Sequence, residues 1–595
     1  MTEKLAQIRE LMSSEGLDAY FLPNNDFHNN ESLCDHDKRM AFISGFQGSN
    51  GQILITKEYA LLWTDGRFWK TAEEELDPGW EIMKMAIGYP TYCDWIIHHL
   101  PSGSVVGYDP ALICAESVLA RTQYFEDKGF TFKPLTKNLV NSIWTDRPKM
   151  PDEKLFIHEL RYAGITAEQK IFMVLNQLHK LGSNYLFTPV LDEIAWTLNL
   201  RGKDIQYNPL FFSFLLLHAT YPSYQAILFV DQEKVNGIQE YLEHNHIEVQ
   251  PYESAWDYLN KIEESVIIDK NELNYSFYKN IKTPVHYSGL IAKIKVIKNP
   301  REMQGFRESH IRDGVAISKY ISWMKSQLDA GADLTEWSSV EKLDEFRASE
   351  ELNSGLSFEN ISSVGPNSAI IHYAPTQETA AKITKDQIYL LDSGGQYLDG
   401  TIDTTRTWHF GEPTDWEKEC YTRVLLGNLD VERLIWPEYS RISGNEVDMM
   451  ARKWLWEVGL DYPHATGHGV GYFLNVHEGP HRMCKGSTEP FEVGMNITNE
   501  PGYYEEGHFG VRVENILLVV MHPSFPGFLG FENVTMVPYD KNLLDFKLLS
   551  HRDIAYIDAY HNKIWRNLSP ILENRGESIA LEWLRETTSP INRRD

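Results

Sequence analysis

The chain has 595 residues, several times the ~150-residue domain prior, so more than one buried core is expected. Asp and Glu number 84 against 56 Lys and Arg, a formal charge of −28 that excludes a phosphate-backbone binder and disfavours anionic membranes. Apolar residues at 42% and charged residues at 24% describe an ordinary globular protein, not a disordered or fibrous one.

The apolar runs over 211–217 and 516–521 fall far short of the ~20 residues that span a bilayer, so no transmembrane helix is expected. The first ten residues, Met1-Thr-Glu-Lys-Leu-Ala-Gln-Ile-Arg-Glu, carry charges where a secretory signal would be apolar, and predict a cytoplasmic protein. Cys34, Cys93, Cys114, Cys420 and Cys484 are odd in number and form no C-x-x-C pair, which predicts reduced thiols. Cys484 follows His481 by three residues, but one such pair is expected by chance among 21 histidines.

In chain order, Leu5, Ile8, Leu11 and Met12 recur at helical spacing before Gly16, and 19–22 reads as a short buried strand. Runs at 53–56 and 60–64 flank a polar turn and predict a hairpin. A similar order returns with a helix over 167–181 and strands over 185–187 and 226–231. Asp231 lies 166 positions after Asp65, and Gly182 lies 166 after Gly16, so two copies of one α/β unit are expected. Lys298-Asn-Pro-Arg-Glu302 then supplies a cap, a first-turn proline and a capping-box glutamate for a long helix through Tyr320. The expected divisions are 1–150, 151–297, 298–522 and a C-terminal extension, 523–595.

Chemistry concentrates in the third segment. Asp392 ends an apolar run before Ser-Gly-Gly, and Asp403 lies in a Thr-rich strand predicted to pair back beside it. Taken singly, each is bland: Asp392 before Ser-Gly-Gly reads as a turn residue, as Asp399-Gly400 is expected to be. Two carboxylates held together in an interior imply a shared proton or a cation. A second strand pair offers Glu500 at one end and Glu514 within the next strand, on the same face as Arg512. Between the pairs, His464, His468 and His477 cluster among glycines, but no H-E-x-x-H helix is present. Four carboxylates and one imidazole suit two hard divalent ions, with oxygen favouring Mn or Mg and imidazole admitting Zn or Co.

These residues resemble the pita-bread metallopeptidases, specifically the long, three-domain Xaa-Pro aminopeptidases, or aminopeptidases P. The resemblance covers essentially the whole chain. Its markers are Phe42-Ile-Ser-Gly-Phe, Trp63-Thr-Asp-Gly-Arg, Asp392-Ser-Gly-Gly-Gln-Tyr, His464-Ala-Thr-Gly-His-Gly-Val-Gly, Asn499-Glu-Pro-Gly-Tyr-Tyr and Gly530-Phe-Glu-Asn-Val-Thr-Met-Val-Pro. It implies two creatinase-N-terminal-like α/β domains, a pita-bread catalytic domain of α+β type, and a homodimer. It further implies that Asp392, Asp403, His468, Glu500 and Glu514 bind two metal ions, usually Mn2+, with Asp403 and Glu514 bridging. Glu500 would then orient a bridging hydroxide and move its proton. His372 and His477 would contact the scissile carbonyl, and His464 would lie beside the proline pocket. The implied reaction removes the N-terminal residue from peptides with proline second. The alternatives are a prolidase-like Xaa-Pro dipeptidase, a metal-free creatinase-like hydrolase and a non-catalytic binding module; the last two have no need of all five ligands.

Overall fold

The strand Ala19–Pro23 is buried along its whole length, which requires cover on both faces of its sheet. Helix Glu3–Glu15 supplies part of that cover by turning Leu5, Ile8 and Met12 inward, with Leu11 half-buried beside them. The computed structural model describes residues 3–86 and 88–591. The sheet runs Glu81–Lys84, Ala60–Thr64, Gln52–Thr56, Ala19–Pro23, Val105–Tyr108, Thr131–Pro134. The predicted hairpin forms within it, with Ile53 opposite Leu62.

A second six-stranded sheet runs Ile247–Gln250, Ser223–Val230, Ser213–Thr220, Tyr185–Thr188, Val266–Ile268, Pro284–His286. Strand for strand the two sheets have one topology. In each, the first strand in chain order is antiparallel to the second, the second to the third, and all other pairs are parallel. The 166-residue offset therefore marks a repeated fold. Helix Ala167–Lys180 sits where periodicity predicts it, opened by a capping box between Thr166 and Gln169.

Both sheets belong to one compact unit, which runs to His158 and resumes over Ile165–Ile294. A second unit takes Glu159–Gly164 and the chain from Lys295 onward. Its long helix, Pro300–Asp329, starts at the predicted cap: Asn299 accepts the N–H groups of Arg301 and Glu302, and Glu302 accepts that of Asn299. It runs past Tyr320 because Ile321, Met324 and Leu328 continue the buried stripe. Two antiparallel sheets follow. One orders Ile361–Val364, Ile388–Ser393 and Thr404–His409; the other orders Ile435–Pro437, Phe528–Asn533, Asn515–Met521 and Asn496–Asn499. Among the described residues no helix is long and apolar enough to cross a membrane.

Helix His551–Asn574 packs into the core of this unit through Ile557, Ile564, Leu568 and Leu572. His561, on the same helix, is buried and accepts the Tyr539 N–H through Nε2 at 3.1 Å. Burial first, then the charges of Lys541 and Arg406, hold its pKa down at about 3. The unfolded imidazole titrates near ~6.5. The stability conferred by neutral His561 is thus complete above that pH and is lost as pH falls toward 3. Substituting His561→Gln, which keeps an acceptor but cannot titrate, should flatten the fall in stability between pH 6 and 5 by about 1.4 kcal/mol per pH unit. Urea unfolding at both pH values measures this, and parallel slopes for the two proteins would refute it.

Candidate metal centre

Asp392 lies in the middle strand of its sheet, opposite Thr405. Asp403 directly precedes the Thr404–His409 strand and, two residues before Thr405, shares the face of Asp392. The two aspartates are thus diagonal neighbours, with Asp403 just outside the strand where the sequence predicts it within. Glu500 and Glu514 sit at a similar joint. The register that pairs Asn499 with Asn515, continued by one residue, sets Glu500 opposite Glu514. Glu514 falls in the break between strands Phe509–Arg512 and Asn515–Met521, not inside one strand as expected. Arg512 still reaches the same neighbour, since Thr405 Oγ1 accepts from Arg512 Nε at 3.1 Å and donates to Glu514 at 2.8 Å.

The short strand Gly467–Gly469 carries His468 against the Glu500 strand. A Cβ on Gly467 would lie 1.9 Å from the Thr498 carbonyl oxygen, so only glycine permits this approach. Thr498 Oγ1 accepts the His468 N–H at 3.0 Å, and the Glu500 N–H donates to Thr466 at 2.8 Å. His468 Nδ1 donates to the Gly469 carbonyl at 2.8 Å. That bond fixes the tautomer and leaves the Nε2 lone pair aimed at Asp403 and Glu500, at 3.4 and 3.5 Å. Ligand atoms of Asp403, His468 and Glu514 all lie within 4.8 Å of one another.

Four carboxylates here face one guanidinium, that of Arg512, whose Nη2 donates to Asp392 Oδ2 at 2.8 Å. Burial pushes up the carboxyl pKa of Glu514, and the charges of Asp403, Glu500 and Asp392 add to it. Glu500 is pushed up to about 7 by burial, with His468 opposing and Asp403 reinforcing. Burial also raises Asp392, against the pull of Arg512. Its Oδ1 is buried with no hydrogen-bond partner. An orphaned buried oxygen among mutually repelling carboxylates, beside an imidazole with a free lone pair, fits divalent cations.

The remaining histidines are placed around this cluster to different degrees. The His477 ring packs edge-on against His468, with centroids 4.3 Å apart at 76°. His464 Nδ1 donates to the Ala465 carbonyl, so its Nε2 accepts the Tyr504 hydroxyl at 2.9 Å. His372 follows the helical turn Gly365–Ala369, which is fastened to the Arg512 strand where Ser368 Oγ accepts the Gly510 N–H at 2.7 Å.

Known proteins share this arrangement of sequence. The description Metallopeptidase family M24 fits residues 304–520, and C-terminal region of peptidase_M24 fits 527–591. Creatinase/Prolidase N-terminal domain fits twice, over 4–142 and 146–302. A probable Xaa-Pro aminopeptidase P of Laccaria bicolor is 41% identical over 99% of this chain and 94% of its own. The Xaa-Pro aminopeptidase ApepP of Drosophila melanogaster is 40% identical over 99% of both. This chain belongs to the Xaa-Pro aminopeptidase P family. An X-prolyl aminopeptidase from Caenorhabditis elegans, described as a cytosolic enzyme with a di-nuclear active site, superposes with a TM-score of 0.95 at 33% identity. It covers 99% of this chain and 100% of its own. The fold is accordingly that of two creatinase-like domains and a pita-bread domain.

Arg512 and Tyr504 entered the sequence reading only as neighbours of named residues. In the structure Arg512 Nη1 donates to Tyr504 at 2.7 Å, and a continuous chain runs Asp392, Arg512, Tyr504, His464. The available signal was an arginine two residues from Glu514 on the same face. Asp399 forms the expected turn, yet its carboxylate is fully buried and paired with Arg312. Burial raises the Cys484 thiol pKa, and its neighbour His481 spends Nε2 on the Asn496 carbonyl. All five cysteines are free.

Proposed function

We propose that this protein is a metal-dependent exopeptidase that removes the N-terminal residue from peptides with proline in second position. The observation that carries this reading is the convergence of Asp403, His468 and Glu514, flanked by Asp392 and Glu500, in a chain similar along its length to Xaa-Pro aminopeptidases. Asp392, Asp403, His468, Glu500 and Glu514 would together hold two divalent cations. Mn2+ suits the oxygen-rich donor set best, ahead of Zn2+ and Co2+. Two such ions supply Lewis acidity, making water a nucleophile near neutral pH and polarising a carbonyl.

The chain's own groups do the rest. Glu500 orients the attacking water and takes its proton. His372 and His477 meet the oxygen charge that grows in the tetrahedral transition state. His464, held by Tyr504, lines the place of the proline ring. An Xaa-Pro bond is a tertiary amide with no N–H and a fixed φ, so recognition must read ring shape and not an amide donor. In this reading 1–150 and 151–297 are the two creatinase-like domains, 298–522 carries catalysis, and 523–595 packs on it. The protein acts in the cytoplasm as a homodimer on peptides, with neither nucleic acid nor membrane as partner.

A prolidase is the second reading. The prolidase from Pyrococcus horikoshii, at 22% identity, a TM-score of 0.50 and 62% of this chain, shares the fold alone. Full-length similarity favours the aminopeptidase. The test is release of the first residue from an Xaa-Pro-Pro tripeptide and from an Xaa-Pro dipeptide, each with Mn2+ and with chelator. Chelator-sensitive cleavage of the tripeptide, with the dipeptide poor, is expected. Preference for the dipeptide would establish the prolidase reading, and no cleavage of either by metal-loaded protein would leave a binding role.

A further inference from the structure

Glu336 opens the helix Glu336–Ala348 and is 0% exposed. Its carboxylate accepts the Val364 N–H at 2.7 Å, Asn367 Nδ2 at 3.0 and 3.1 Å, the Tyr373 hydroxyl at 2.8 Å and the Ala381 N–H at 2.7 Å. All four donors are neutral, and all come from one stretch of chain, 364–381, that brackets His372. Asn367 Nδ2 also reaches the Tyr373 hydroxyl at 3.0 Å. The main chain completes the fastening: Glu336 N–H donates to Ala381 at 3.0 Å, and Ile383 N–H to Leu334 at 2.9 Å.

Between Ala369 and Ile388 the chain forms no helix and only an isolated bridge, Lys382 with Thr335. A segment this long without regular structure is uncommon inside a folded unit unless it serves a function. A carboxylate is acceptor-only, so one buried Glu satisfies several donors that a sheet would otherwise pair. Burying it is costly unless every oxygen is used, and here each oxygen accepts more than once. One of its contacts, Tyr373, directly follows His372.

We propose that Glu336 is a positioning residue: by pinning the 364–381 loop on both sides of His372, it holds that imidazole where it meets the substrate. The inference rests on the transition-state role assigned above to His372. Glu336→Gln is nearly isosteric, but it replaces one acceptor oxygen with an NH2 that faces donors. In the metal-loaded enzyme, E336Q is expected to lower kcat about 10- to 100-fold, the scale of an ångström-sized misplacement, with KM and bound metal little changed. Combined with His372→Ala, it should add nothing beyond the loss H372A causes alone. Tyr373→Phe, which removes one donor and leaves the carboxylate in place, is the milder variant; it should show a smaller kcat loss that also vanishes in the H372A background.

Hydrogen exchange over 364–381 separates the two claims. Faster exchange in E336Q with unchanged kcat would overturn the positioning role. A kcat loss that multiplies with that of H372A would overturn it too, because Glu336 would then act elsewhere. If H372A itself turns over like wild type, the reading of His372 fails while the pinning of the loop stands on the exchange data.

Discussion

Asp403→Asn is expected to abolish measurable turnover and to cost most of the bound metal. Removing a group that merely supports a metal ligand costs ~10–100-fold, so a residue proposed as a ligand itself should exceed that range. Asp403 is 4% exposed, lies 3.4 Å from His468 Nε2 and shares a cluster with Glu514. Its charge also helps to raise the carboxyl pKa of Glu500 and of Glu514. The metal-free variant should therefore melt at a higher temperature than metal-free wild type, because one repelling charge has gone. Added Mn2+ at ~100 times its Kd should stabilise wild type by about 2.7 kcal/mol, and D403N should gain far less. Metal analysis and paired melts with and without chelator measure both effects. A variant that keeps wild-type activity and metal would remove Asp403 from the centre.

The largest expected loss of stability is at Glu478. Its carboxylate takes the ammonium groups of Lys295 and Lys298 on its two oxygens, and all three side chains are buried. Glu478→Gln leaves two buried cations facing a neutral amide, a change on the order of 3–5 kcal/mol. Burial already lowers the Lys298 pKa, the charge of Lys295 lowers it too, and Glu478 opposes them. Without that opposition Lys298 sits lower still. A lysine depressed in the folded state penalises folding at low pH and releases the penalty as pH rises toward the unfolded value of ~10.4. E478Q should thus gain stability more steeply than wild type between pH 7 and 9.5 in urea unfolding, recovering part of its deficit. Replacing all three residues with Met should restore most of the stability, since a buried ion cluster is readily exchanged for apolar volume. The site should feel the change as well, because Glu478 begins the strand Glu478–Met483 directly after His477, whose ring rests on His468. A deficit below ~1 kcal/mol for E478Q would mean that the lysines find water or other acceptors.

Much of the fold was written in local chemistry. The Asn299 cap, the helix from Ala167 and the hairpin from Gln52 to Thr64 depend on residues a few positions apart, so spacing alone reveals them. The duplicated sheet was visible as a repeated offset because each copy needs the same helix, glycine and strand order. The residues that converge at the centre were also legible, since carboxylates at strand ends and histidines between glycines are chemically conspicuous. The buried groups that hold them were not. Glu336 and Glu478 look like ordinary surface charges in the sequence, and nothing in the spacing pairs Lys295 with Glu478, or Arg512 with Asp392, across more than a hundred positions.

The sequence by itself determined which residues could bear the chemistry and in what order the domains come, because composition, caps and motifs act over short range. Only the tertiary structure decided that Glu500 faces Glu514 across a joint, that His468 presents Nε2 and not Nδ1, and that one buried carboxylate gathers the loop around His372. Those outcomes depend on register, tautomer and desolvation. Each is set by neighbours brought from distant parts of the chain, and burial turns a soluble charge into a demand for particular partners.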